Sequence, residues 1–241
     1  MSLLHTERRL VSLELSWERV MTRTRYGMYA DAVENRVVSH VLSQSPAPGA
    51  LLDIGCEGGR RAKAFAERGW EITAVDVDAK ALGVCQSRHP EARCLLVTPE
   101  ERRLPAESTS IDVALCMEVA PVIHAEWAAP EFARILKAGG RLAGVCWNRA
   151  SWRGFLYHNA PVLRVPGSHP MTGFPIKYAD FRKEMVRRGF RFEKELGYAW
   201  GPFRRSSNSF LISPWSVFER TSGLQQCVSH APMIAFVAQK I

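Results

Sequence analysis

The stretch Leu51-Leu52-Asp53-Ile54-Gly55-Cys56-Glu57-Gly58-Gly59-Arg60 constrains this chain more than any other. A short apolar run ends in three glycines within five positions, and the residues after it are helical in pattern. A strand that ends in a glycine-rich turn and feeds a helix opens a parallel α/β sheet, and such sheets bind ligands at the carboxyl ends of their strands. Glycines there let the backbone approach a ligand closely. About 20 residues further on, Val75-Asp76 ends a second apolar run. An acid at that position is suited to accept hydrogen bonds from both hydroxyls of a ribose.

The remaining pattern repeats the unit. Strands are expected at Ala50–Ile54, Glu71–Val75, Ala92–Val97, Ile111–Met117, Leu142–Trp147, Phe190–Tyr198 and Pro232–Gln239. Helices are expected at Arg60–Arg68, Asp78–Ser87, Pro130–Lys137, Tyr178–Arg188 and, briefly, near Pro214–Thr221. Strands separated by helices pair in parallel. The expected fold class is therefore α/β, a Rossmann-like doubly wound sheet of about seven strands with helices on both faces and an antiparallel last strand. Residues 7–43 are helical in spacing and end at Ser45-Pro46-Ala47-Pro48-Gly49, so 1–49 reads as an N-terminal helical cap on one domain spanning 50–241. Two irregular stretches, 149–177 and 201–231, are too long for ordinary connections and read as lid insertions.

Composition narrows the function. The 241 residues carry a formal net charge of +8, yet residues 1–150 hold 19 basic and 19 acidic residues, and residues 151–241 hold 13 basic against 5 acidic. A uniform basic coat for packaging nucleic acid is excluded, and the surplus falls on one third of the chain. Apolar content of 46% and charged content of 23% suit a globular protein. No apolar run approaches the roughly 18 residues of a membrane span, and the first 20 residues are too charged for a secretion signal, so a cytoplasmic location is expected. The six cysteines form no C-x-x-C pair and read as reduced core thiols.

Two cofactors suit the turn. A dinucleotide needs G-x-G-x-x-G, which from Gly55 requires glycine at 57 and 60; this chain has Glu57 and Arg60, and Glu57 would repel a pyrophosphate. S-adenosylmethionine carries a cationic sulfonium and an amino group and no phosphate, so Asp53 and Glu57 favour it. In this order of segments the chain resembles the class I S-adenosylmethionine-dependent methyltransferases, and their metabolite-modifying, quinone-biosynthesis-like branch in particular. The resemblance rests on Asp53–Gly59, on Ile72–Asp76, on Leu104-Pro105 with Ile111–Val119, and on Ile135-Leu136-Lys137-Ala138-Gly139-Gly140-Arg141-Leu142. It covers residues 50–148 closely and the rest by topology.

The resemblance implies an enzyme that moves a methyl group from S-adenosyl-L-methionine to a small-molecule acceptor, leaving S-adenosyl-L-homocysteine. Cofactor contacts implied are Asp53, Gly55, Cys56, Glu57 and Gly59 at the methionine end, Asp76 on the ribose, and Val77 along the adenine. Thr98 or Glu100 would meet the adenine amino group, Cys116 and Met117 would lie beneath the cofactor, and Tyr26 would close over it. The family has glycine where this chain has Glu57, so that carboxylate either turns outward or acts on the cofactor. Candidate bases are His124 and Glu118; a histidine is common two positions earlier in the family, where Val122 stands here. Tyr157, His158, His169 and Trp200, in or beside the lids, are candidate substrate contacts. No metal is expected, because no paired acids stand where the metal-dependent catechol type places its ligands. The alternatives are an RNA methyltransferase, against which the absence of an appended RNA-binding module argues, and a non-catalytic binding module that keeps the fold. The basic, aromatic C-terminal third favours an anionic or an aromatic, lipid-like acceptor.

Overall fold

The computed structural model describes residues 18, 20–45, 47–160 and 174–241. Seven strands form one sheet: β1 (Ala50–Ile54), β2 (Glu71–Asp76), β3 (Arg93–Leu96), β4 (Ile111–Cys116), β5 (Leu136–Trp147), β6 (Phe190–Tyr198) and β7 (Met233–Lys240). Their order is β3-β2-β1-β4-β5-β7-β6. The first five run parallel, and β7 lies antiparallel between β5 and β6. The chain moves outward from β1 to β3 and then returns to β4, so the strand order switches between β1 and β4. A cleft opens at the carboxyl ends of the strands at such a switch.

Both faces of the sheet are buried. Leu51 of β1 and Val113 and Leu115 of β4 pack into one core, while Leu52, Ile54, Ala114 and Cys116 pack into the other. This two-residue alternation puts Asp53 on the first face, where α1 (Arg25–Gln44) lies. That helix starts because Thr24 Oγ1 accepts the Gly27 N–H at 2.9 Å, and it buries Tyr26, Tyr29, Ala30, Val33, Val37, Val38 and Val41. The other helices are α2 (Lys63–Ala66), α3 (Ala79–Arg88), α4 (Ala120–Ile123), α5 (Ala128–Ile135), α6 (Trp152–Asn159), α7 (Tyr178–Arg187) and α8 (Ile212–Thr221). No helix among the described residues is long and apolar enough to cross a membrane.

Two boundaries differ notably from expectation. The helix after the glycine turn is a single turn, Lys63–Ala66, and not Arg60–Arg68. Glu57 at φ 46° and Gly59 at φ 72° hold the preceding backbone in the left-handed region, which delays the helix. β5 begins at Leu136, before the glycine pair, because Gly139 at φ 80° and a register shift between Ile111 and Val113 let the strand pass through a bulge. The helix expected over 7–43 is described only in its later part, since residues 1–17 lie outside the described residues.

Candidate functional site

The carboxyl edge of β1, β2 and β4 lines one continuous cleft in two parts that share Gly55, Asp76, Val119 and Pro121. The polar part, about 210 Å³, is walled by Asp53, Cys56, Glu57, Asp76, Met117, Glu118 and Glu34, with Arg60 and Arg61 on the far side. The apolar part, about 970 Å³, runs between Val77, Val97 and Thr98 on one side and Val122 and His124 on the other. Val77 is 57% exposed there, an apolar surface without cover.

The glycine turn is held by the neighbouring strand. Gly55 and Cys56 both donate to Val75 O, at 2.8 and 3.1 Å. Gly55 has φ 64°, and a Cβ there would meet Val119 Cγ2 at 2.5 Å, so no larger residue fits. Asp76 Oδ2 accepts the Glu57 N–H at 2.9 Å and its Oδ1 accepts the Asp78 N–H at 3.0 Å. Each oxygen keeps a lone pair for a further donor. The Asp76 carboxylate thus ties the turn to β2 and faces the cleft at the same time.

Electrostatically the polar part is built for a cation. Asp53 is 3% exposed, and its Oδ2 has no hydrogen-bond partner among the described residues. Burial, with a contribution from Asp76 and Glu57, pushes its carboxyl up to about 8. Burial and Asp76 push Glu57 up to about 7. Burial and Glu118 likewise push Glu34 up, against the pull of Arg61, which pairs with it. Acids crowded in this way resist ionising until a positive ligand arrives.

Beyond Glu118 lies a third cavity of about 350 Å³, bounded by the ends of β5, β6 and β7. Trp147 and Tyr198 both pair with Met233 there. Glu118 Oε2 stands 3.0 Å from Arg205 Nη1, and the Arg205 guanidinium lies 4.5 Å over the Trp147 ring. This ion pair marks the boundary between the polar cleft and the third cavity.

The expected site residues separate accordingly. Asp53, Gly55, Cys56, Glu57, Asp76, Met117 and Glu118 line the polar part; Val77, Thr98 and His124 line the apolar part. Glu57 is turned into the cleft. Glu101, and not Glu100, reaches the groove, because the Glu101 N–H bonds back to Thr98 O at 3.1 Å. Gly59 lines none of these cavities; a Cβ there would sit 2.7 Å from Cys85 Sγ, so its role is packing. Cys116 is fully buried within the sheet. Tyr26 faces the third cavity and not the cleft, its hydroxyl near Met233 Sδ.

His124 is also placed differently from a base. Its Nε2 accepts the Trp147 N–H at 3.1 Å, and burial lowers its pKa to about 4. A neutral ring with that lone pair engaged carries its proton on Nδ1 and has no basic nitrogen left. Tyr157 and His158 stand behind Phe174, with His158 Nε2 at 3.0 Å from Phe174 O. Trp200 lines none of the three cavities; its carbonyl accepts from Trp152. His169 lies outside the described residues. Sequence reasoning missed Glu34, Arg61 and Trp147. Glu34 was legible as an acid within the valine stripe of α1; nothing local marked Arg61 or Trp147.

Residues 52–144 match the family model described as a methyltransferase domain. An uncharacterised methyltransferase of Mycobacterium bovis is 36% identical over 98 residues, 41% of this chain and 39% of that protein, so the chain spans well under half of that relative's length. A ubiquinone biosynthesis O-methyltransferase of Azoarcus sp. is 30% identical over 164 residues, 64% of this chain and 70% of that protein. The solved structure of an S-adenosylmethionine-dependent methyltransferase of Thermotoga maritima superposes with a TM-score of 0.59 at 18% identity, covering 98% of this chain and 99% of that one.

Proposed function

The chain belongs to the class I S-adenosylmethionine-dependent methyltransferases, and from that premise we propose that it is a metal-independent enzyme that methylates a small, anionic or aromatic acceptor. The observation that carries the proposal is the buried acid Asp53, with an unpartnered oxygen, in a cleft that joins an acidic end to an apolar groove. When bound, S-adenosylmethionine supplies an electrophilic methyl group on a cationic sulfur.

The chain's own residues do the rest. Asp53 and Glu57 attract and orient the positive end. Asp76 takes the ribose hydroxyls on the lone pairs it keeps, and Val77, Val97 and Thr98 receive the adenine in the apolar groove. Met117 and Val119 exclude water from the reacting end. The third cavity takes the acceptor, and Arg153, Phe174 and Arg205, from the stretches 149–177 and 201–231, form its outer wall. Glu118, at the boundary, takes the proton that an O–H or N–H acceptor releases. Positioning and exclusion of water supply most of the rate in such a displacement.

Titration calorimetry tests the proposal. The wild type is expected to bind one S-adenosylmethionine per chain, and Asp76→Ala to weaken binding at least tenfold. Absent binding by the wild type, or equal binding by the variant, contradicts it.

A further inference from the structure

The third cavity offers hydrogen-bond donors and almost no acceptors. It is walled by Tyr26, Trp147, Arg153, Phe174, Arg205 and Met233. Trp147 is 8% exposed, and its Nε1–H has no partner among the described residues. A buried indole N–H left unmatched is a costly donor that a ligand oxygen would satisfy. Among the described residues the Tyr26 hydroxyl reaches only a thioether sulfur, Met233 Sδ, at 4.0 Å.

The two cations differ. Arg205 faces Glu118. Arg153 gives its Nε to Ala199 O at 3.0 Å and its Nη2 to Gly201 O and to Phe203 O, the latter at 2.9 Å. All of these partners are neutral carbonyls. The carboxylate that acts on Arg153 among the described residues, Glu219, is itself occupied by Tyr29, by Trp215 Nε1 and by the Trp200 N–H. Among the described residues no carboxylate lines the cavity, so that lining carries two positive charges and no negative one. The remaining walls, Phe174, Met233 and the ring of Trp147, are flat or apolar.

Resting on the methyltransferase reading above, we propose that this cavity binds a planar aromatic carboxylate, with the carboxylate held between Arg153 and Trp147 Nε1 and the ring against Phe174 and Met233. Arg153 Nη1, the nitrogen that none of the Ala199, Gly201 and Phe203 carbonyls takes, keeps its N–H donors for a carboxylate oxygen, in a charge-assisted hydrogen bond. A neutral acceptor would leave the Arg153 charge without a counter-ion inside the cavity. Arg153 and Trp147 are thus specificity-determining residues for the acceptor, separate from the acids that hold the methyl donor.

The test is calorimetry with benzoate, salicylate and 2-naphthoate, each against its own carboxamide, on protein saturated with S-adenosylhomocysteine. At least one acid is expected to bind tenfold or more tightly than its amide. Arg153→Met should cut that preference below threefold, and Trp147→Phe should reduce it, while both keep S-adenosylhomocysteine affinity within twofold. That retained affinity also reports that the variants fold. Acids and amides binding alike, no acid binding to protein that does bind S-adenosylhomocysteine, or a preference that survives in both variants overturns the proposal. Failure to bind S-adenosylhomocysteine in the same titration overturns the methyltransferase reading instead, and the acid preference of the free protein then still decides the cavity.

Discussion

Glu57 occupies a backbone position at φ 46°, where a side chain costs about 1–2 kcal/mol relative to an ordinary conformation. Its N–H is fixed by Asp76, so the strain is retained in the turn. Glu57→Gly should therefore stabilise the fold by about 0.5–1 kcal/mol, read as a higher urea midpoint. The same change should narrow the affinity gap between cationic S-adenosylmethionine and neutral S-adenosylhomocysteine, because it removes a carboxylate from the cleft. Asp53 makes a pH prediction. Its folded pKa of about 8 lies above the ordinary carboxylate value of about 3.9, so the stability it contributes is full below about pH 4 and is lost as pH rises through 8. Thermal stability of the free protein should fall between pH 6 and 8.5, and less so in Asp53→Asn. A cationic ligand favours the ionised acid, so affinity for S-adenosylmethionine should rise from pH 6 to 7.5, with proton release visible in buffers of different ionisation enthalpy. His124→Leu should cost about 1–3 kcal/mol, since the Trp147 N–H loses its acceptor. It should leave the acid limb of the pH–rate profile in place.

At the scale of elements, the decisive unit is the β1 turn. Gly55→Ala places a Cβ 2.5 Å from Val119 Cγ2 in a left-handed backbone, so binding of S-adenosylhomocysteine should fall at least tenfold in calorimetry. Much of this unit was legible in the sequence. The glycines, Asp53 and Asp76 announce themselves because strand ends and turns have strong local chemistry, and β1 and β4 are short, nearly continuous apolar runs, as strands buried on both faces are. The length of α2 was not legible, because it depends on Glu57 adopting a conformation that its residue type disfavours. The start of β5 was hidden for a similar reason: a glycine pair reads as a stop, and only pairing with β4 turns it into a bulge. The third cavity is assembled from β5, β6, β7 and both irregular stretches, so no contiguous pattern encodes it. Its arginines stood out as charges without revealing which ones turn inward.

Across the whole molecule, the charge surplus of the last third resolves into two populations. Arg187 and Arg188 pair with Glu184 and Arg182 pairs with Glu195 on or beside α7, a solvated basic face. Arg153 and Arg205 point inward at the third cavity. The acid-rich cleft and the donor-rich cavity then meet at Glu118 and Arg205, a division of charge that suits a cationic donor and an anionic acceptor. The sheet that holds both together is fixed from the other side by Phe236, whose ring meets Tyr178, Phe181 and Phe192. Phe236→Ala should cost about 3–5 kcal/mol in denaturant unfolding.

The proposed function requires that one cleft hold the methyl donor and open past Glu118 into the acceptor cavity. A crystal structure of the protein soaked with S-adenosylhomocysteine tests it most directly. The ribose hydroxyls are expected on Asp76, the adenine between Val77 and Val122, and the sulfur facing Glu118 and the Arg205 cavity. A ligand bound elsewhere, or one whose sulfur faces away from that cavity, would contradict it.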